Sequence, residues 1–351
     1  MKHYNIPIFI SHFGCPNSCV FCNQKKINGR ETDVTMEDLR NTVEMYLETL
    51  PKNSKKEVAF FGGTFTGISI NLQKEYLETT YEYIKNGSID GIRLSTRPDC
   101  INDEIVKQLK KYGVTVVELG VQSLDEKVLL ATERYYPVEV VERACETLKI
   151  YGIKVGIQLM IGLPESTDES DFDTAQKALA MKPDIVRIYP TLVIKNTKME
   201  QMFYRKEYTP LTIDEAIERT RRIYALLESN GVNIIRVGLQ PSEDLREDGV
   251  VLGGPFHPAF RELVETEIYY SFFKRIVEEE KKLEIFANEK NISKLVGIKK
   301  ANRVRLKEYF KIQIDNSIEI DDIVVNGKNY SRLDVLRGEL SRYESNSNQH
   351  R

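Results

Sequence analysis

No run of the 351 residues is long and apolar enough for a membrane span, and the opening MKHYNIPIFI meets polar residues too early for a signal peptide. A secreted or helical-membrane protein is therefore not expected, and a cytoplasmic one is. Cysteine is scarce: there are five, an odd number, with three crowded between positions 15 and 22. That usage rules against a disulfide framework and fits metal or cluster ligation in a reducing compartment. Charge of one sign is lacking too. A net charge of −3 excludes a uniformly basic nucleic-acid coat but leaves room for a local patch. Low-complexity tracts and short repeats are absent, apart from the polar tail SRYESNSNQHR, from which a frayed terminus over 345–351 is expected. A composition of 41% hydrophobic and 29% charged residues suits one principal core and a smaller addition.

What is present is a rhythm. Short β-branched and aromatic runs, IPIFI, EVAFF, GIRLS, TVVELGV, IKVGIQLMI, DIVRIY and NIIRVGL, alternate with helical spacings such as Leu39, Val43, Leu47 and Leu50, or Val138, Val141, Cys145 and Leu148. Alternation of this kind means βα units and a parallel sheet, either open and doubly wound or a barrel, complete or partial. Either way the working surface lies at the carboxyl ends of the strands, in the loops SHFGCPNSCVFC, GGTF, TRPDC, QSLDE, GLPEST and PTLVIKNT. From about Phe256 the pattern changes to a long helix starting near Pro258, then a small mixed segment with one helix and a strand pair turning at Asn326-Gly327. The boundary is placed near Ile276.

Cys15, Cys19 and Cys22 have the spacing CxxxCxxC directly after the first strand. Such spacing lets one loop wrap three thiolates around a single inorganic body. Three readings follow: a zinc site completed by His12, unrelated buried cysteines, or a 4Fe-4S cluster with one iron left open to a substrate. Cys100 and Cys145 read as structural.

CxxxCxxC with Phe21 before the last cysteine resembles the cluster loop of radical S-adenosylmethionine (SAM) enzymes. The resemblance implies a partial (β/α)6-type parallel TIM-like barrel with a small C-terminal α+β segment. It also implies a 4Fe-4S cluster on Cys15, Cys19 and Cys22, SAM as cosubstrate, and an electron donor such as ferredoxin or flavodoxin. Gly62, Gly63 and Thr64 match the motif that holds the cosubstrate's amino group. Gln122 and Arg134 match its polar contacts, and GIQLMIGLP resembles the stretch supporting adenine. Ser95 and Gln158 stand where relatives carry carboxylates toward the sugar hydroxyls. More closely, GGTF, TRPD, GVQS, YPTLVIKNTKM, TPLT and HPAFREL recur in the order found in the radical domain of the Elongator catalytic subunit, a family tied to wobble-uridine modification of transfer RNA. This chain departs from it in the closer spacing of its first two cysteines. The 75 residues after Ile276 also fall short of a full catalytic domain, so acetyl transfer is not expected of them.

The expected organisation is a core barrel over 1–235, its extension over 236–276 and a small basic domain over 277–344. Between Lys290 and Lys311 eight Lys and Arg residues face one acid, Glu308, a stripe able to grip RNA phosphates or simply a solvated face. Tyr189, at the end of the sixth strand, and His257, at a helix start, are candidates for catalytic contact, with packing and helix capping as the plain alternatives. The leading expectation is a radical SAM enzyme acting on tRNA or another RNA. Radical chemistry on a small metabolite, as in oxygen-independent coproporphyrinogen oxidase, and a non-catalytic zinc-containing RNA-binding protein are the alternatives.

Overall fold

In the computed structural model, which describes residues 2–10, 15, 18–22, 34–239 and 249–349, all seven strand runs form strands. They are β1 (His3–Phe9), β2 (Lys55–Phe61), β3 (Gly91–Thr96), β4 (Val114–Gln122), β5 (Lys154–Ile161), β6 (Ile185–Pro190) and β8 (Asn233–Val237), with a short β7 (Val193–Ile194) before the last. The sheet runs β1-β2-β3-β4-β5-β6-β8 with every neighbouring pair parallel. A strictly sequential order excludes the doubly wound alternative, which must reverse its order at a switch point. β1 and β8 do not pair, so the sheet is a partial barrel.

The intervening helices follow from local chemistry. α1 (Met36–Thr49) begins on a capping box between Thr35 and Asp38, and α2 (Ile70–Lys85) on Ser69. α3 (Asp103–Lys111) is capped by Asn102 and carries acids in its first turn and lysines in its last, matching the helix dipole. α4 (Glu126–Ala131) and α5 (Glu139–Ile150) follow β4. Capping boxes on Thr167 and Thr212 start α6 (Asp168–Ala180) and α8 (Ile213–Ser229), and Thr197 caps α7 (Lys198–Tyr204) between them.

Strand residues alternate between two environments. One set, including Val58, Phe60, Ile92, Leu94, Val117, Leu119, Val155 and Ile157, is buried in the main apolar core, each large side chain contributing about 1.5–3 kcal/mol. The other set is polar: Glu57, Arg93, Glu118 and Arg187 form a chain of ion pairs across the strands. Gly156 makes this possible, because a Cβ there would sit 2.8 Å from Glu118 Cγ and block its reach across β5 to Arg187.

The C-terminal third departs from expectation. After a short β9 (Val251–Gly253), α9 (Phe260–Glu280) stops at Lys281, whose backbone is left-handed (φ +52), and the LEIF stretch, which continues the helical run HPAFRELVETEIYYSFFKRIVEEEKKLEIF in the sequence, lies in β10 (Leu283–Ala287). Lysine gives no glycine-like stop signal, which is why the sequence pattern ran on. After two short helices, α10 (Ile292–Val296) and α11 (Ala301–Leu306), come β11 (Phe310–Ile314), β12 (Asp322–Val325) and β13 (Lys328–Ser331). The expected hairpin at Asn326-Gly327 is present, but within a four-stranded sheet ordered β11-β10-β12-β13. The polar tail is also not frayed over most of its length. α12 (Arg332–Gln349) runs through it, anchored by the Tyr343 hydroxyl, which donates to Glu218 at 2.8 Å. The apolar core continues from Phe260, Ile268 and Phe273 of α9 into Leu283, Ile285, Val325 and Leu336, so the line drawn near Ile276 falls inside a helix and inside a shared core.

Candidate active site

The three clustered cysteines lie just past the end of β1, half-buried. Their loop is tied down on both sides by backbone bonds: Val20 N–H donates to Thr132 O at 3.3 Å, Met199 N–H to Val20 O at 2.8 Å, and Cys22 N–H to Cys19 O at 3.0 Å. Val20 and Phe21 pack with Val193, Met199 and Tyr208, which seats the loop between the end of α4 and α7. His12, the fourth ligand of the zinc reading, lies outside the described residues. Among the described residues no three His, Cys, Asp or Glu side chains form a ready-made metal cage.

Side chains from the neighbouring strand ends reach the sulfurs. Thr64, buried after β2, places its hydroxyl 3.1 Å from Cys15 Sγ, behind Gly62, whose φ of +98 only glycine adopts easily. Arg134 Nη1 donates to Cys19 Sγ at 3.2 Å, and Arg97 Nη1 lies 3.7 Å from the same sulfur. Both guanidiniums are buried and both sit 5.3 Å from the Tyr136 ring. Arg134 also donates to Gly120 O and to the Tyr136 hydroxyl, while Arg97 holds Asp99 through two bonds of 2.9 and 2.8 Å. Burial works against the Arg134 cation, yet the Tyr136 hydroxyl and the Cys19 sulfur beside it raise its pKa further. Two fixed positive charges thus flank one thiol.

Further along the edge, Gln122 ends β4 at a bulge with φ +69, and its buried Oε1 has no hydrogen-bond partner among the described residues. An orphaned buried acceptor costs about 1–3 kcal/mol and marks a place for a donor-bearing ligand. Ser95 and Gln158 are half-buried on β3 and β5 and joined by a 3.5 Å hydrogen bond. After β5, Gly162 (φ +71) is clamped: its N–H donates to Asp171 at 3.1 Å and its carbonyl accepts from Tyr208 at 2.6 Å. Burial pushes the Asp171 carboxyl up to about 6 against the pull of Arg219.

The structure brings Cys15, Cys19, Gly62, Gly63, Thr64 and Arg134 to one edge. The two proposed catalytic residues stand apart from the sulfurs, with no hydrogen bond between them and the cysteines among the described residues. Tyr189 accepts from Arg187 at 3.3 Å, at the end of the ion-pair chain. His257 Nδ1 accepts from Ala259 N–H at 3.1 Å in a local turn ahead of α9, whose N-terminus has no side-chain cap. Cys100 and Cys145 have thiols pushed up to about 11 by burial, consistent with structural roles. Arg97, Asp99 and Tyr136 were missed. TRPD pointed to the first two as a motif, but nothing in the spacing of Tyr136 marks it as the partner of Arg97 and Arg134.

The donor set suits an iron–sulfur cluster bound to SAM: three thiols on one loop, cations to offset the negative charge of ligated sulfur, an open glycine turn and an unmet amide acceptor. The family model for the radical SAM superfamily matches residues 9–178, and that for the radical SAM C-terminal domain matches residues 183–270. A tRNA uridine(34) acetyltransferase of Methanocaldococcus jannaschii is 30% identical over 254 residues, covering 61% of this chain and 47% of the relative. The Elongator complex protein 3 of Homo sapiens is 27% identical over 208 residues, covering 54% and 38%. The chain therefore spans less than half the length of these two curated relatives. The solved archaeal Elp3 of Methanocaldococcus infernus, with residues 1–46 deleted, superposes with a TM-score of 0.60 at 24% identity over 80% of this chain and 64% of that one, a likeness of fold. With both models falling in order along a sequentially wound parallel half-barrel, the chain belongs to the radical SAM superfamily of enzymes and is related to the Elongator radical-domain family.

Proposed function

We propose that Cys15, Cys19 and Cys22 hold a 4Fe-4S cluster at which SAM is reductively cleaved, and that the substrate is an RNA, transfer RNA above all. The observation that carries the first part is the three-thiol loop at the carboxyl edge with Arg97 and Arg134 directed at Cys19. When bound, such a cluster would supply the electron for reductive cleavage of SAM to methionine and a 5′-deoxyadenosyl radical, the species that would take a hydrogen atom from the substrate.

The chain's own residues bind and orient. Gly62 and Gly63 let backbone approach the methionine amino group, while Thr64 reaches Cys15 from the same turn. Gln122 offers its unmet Oε1 to a donor of SAM, and the Ser95–Gln158 pair faces the sugar hydroxyls. Because the donors of Arg134 go to Gly120, Tyr136 and Cys19, its part is to seat the loop and balance charge. Tyr189 orients substrate from β6. With Nδ1 accepting from Ala259 N–H, His257 presents its Nε2–H as a hydrogen-bond donor to substrate. An external ferredoxin or flavodoxin supplies the electron.

Support for RNA comes from the tRNA-directed activity named for the relatives and from the C-terminal segment. Lys290, Lys294, Lys299, Lys300, Arg303, Arg305, Lys307 and Lys311 are all exposed, and among the described residues only Arg305 is ion-paired, with Glu267.

Anaerobic purification with iron and sulfide analysis tests the cluster, and comparison of modified nucleosides in RNA from cells with and without the gene tests the substrate. The expected content is about four irons per chain, falling steeply in Cys15→Ala, Cys19→Ala and Cys22→Ala but not in Cys100→Ala or Cys145→Ala. A colourless protein holding one zinc would overturn the first part, and an unchanged RNA profile the second.

A further inference from the structure

At the end of the half-barrel away from the cysteines, the first residues of the strands frame an open cavity of about 480 Å³. Its charged lining is one-sided: Lys55, Arg93, Lys110, Lys154 and His3 surround a single carboxylate, Glu57. Glu57 is already saturated. His3 Nε2 lies at 2.9 Å from it, Lys55 Nζ at 3.0 Å, and the Thr115 hydroxyl donates at 2.9 Å. Arg93, which is 5% exposed, spans to Glu118 at 3.1 Å, yet its Nε is left without an acceptor among the described residues.

Two further cations are uncommitted. Lys110 comes from the last turn of α3 and Lys154 from the first residue of β5, and neither is ion-paired among the described residues. The chain gives them room. Gly152 (φ +65) leaves Lys110 Nζ 3.6 Å from where a Cβ would stand, so the ammonium leans over the turn that leads into β5. Cations gathered from separate elements onto one concave surface repel each other unless an anion joins them, and such convergence has no use in packing the sheet. Of the Arg93–Glu118–Arg187 ion pairs only Arg93 lines this cavity.

We propose that this amino-terminal mouth is a binding site for a small phosphate-bearing anion, separate from the cluster site. A phosphate group accepts several charge-assisted bonds at once, from lysine as a point charge and from arginine in a fork. Its multiple charge matches a surplus that one carboxylate ligand would leave uncompensated. This inference goes beyond the proposed reaction, and its test uses neither iron nor SAM, so the two stand or fall separately.

The test is calorimetric titration of the full chain with inorganic pyrophosphate at low ionic strength. The parent chain is compared with the double variant Lys110→Ala/Lys154→Ala and with a control double, Lys74→Ala/Lys85→Ala, which removes the same charge from exposed positions of α2 outside the cavity lining. The expected result is saturable one-site binding in the parent, roughly tenfold weaker in the first double and unchanged in the control. Lys154→Glu alone, at an exposed strand start, gives an independent reading and is expected to weaken binding at least as much. No saturable binding in the parent, equal weakening in both doubles, or undiminished affinity in the mouth variants would overturn the proposal.

Discussion

At the scale of single residues, the cysteine edge is governed by who donates to Cys19. Arg134 is buried and makes three kinds of contact at once, to a carbonyl, a phenol and a sulfur, a geometry that a planar guanidinium satisfies and a lysine ammonium does not. Arg134→Lys is therefore expected to lower stability by about 1–3 kcal/mol, from lost bonds to a charged group, and to reduce iron loading. Urea unfolding and iron analysis check both effects. An unchanged midpoint with full iron would show that the guanidinium does not organise the loop. The cysteine spacing is legible in the sequence because the three thiols fall within eight residues of one loop. Tyr136 was not, because its partnership with Arg97 and Arg134 arises from strands and turns folding side by side.

At the scale of elements, strand and helix rhythm carried the barrel: a parallel sheet forces its strands into apolar runs and its crossovers into amphipathic helices, both of which periodicity reports. The C-terminal sheet escaped for the opposite reason. β11 buries only Phe310 fully and β13 none of its residues, so neither shows a clear alternation, and the left-handed Lys281 hides the end of α9. The docking of α12 on α8 has a titratable hinge. Glu339 is 2% exposed and bound to Arg221 at 3.0 Å, its Oε2 has no partner among the described residues, and burial pushes its pKa up to about 7. A carboxyl whose pKa rises on folding stabilises the native state below its unfolded value and loses that contribution as pH rises through the folded one. Relative to the parent chain, Glu339→Gln is thus expected to gain stability progressively as pH rises from about 4.5 to 7 and to keep that gain above pH 7. Urea midpoints at pH 4.5, 6 and 8 measure it, and a pH-independent difference would contradict the assignment.

At the scale of the molecule, a nearly neutral chain gathers positive charge in its C-terminal segment, and a smaller surplus at the amino-terminal mouth of the barrel. If that segment grips RNA, binding should weaken with salt, log K falling by roughly 0.7–0.9 per log unit of salt for each phosphate contacted. Removing Lys299 and Lys300 together should lessen that slope, which filter binding across a salt series would read; a slope unaltered by the double substitution would place RNA elsewhere. No helix among the described residues is long and apolar enough to cross a membrane. The most direct measurement is electron paramagnetic resonance of the oxygen-protected, reduced chain before and after adding SAM. A reduced 4Fe-4S signal that changes shape when SAM is added, and is lost in Cys19→Ala, is expected. No such signal, or one indifferent to SAM, would contradict a cluster with an open iron.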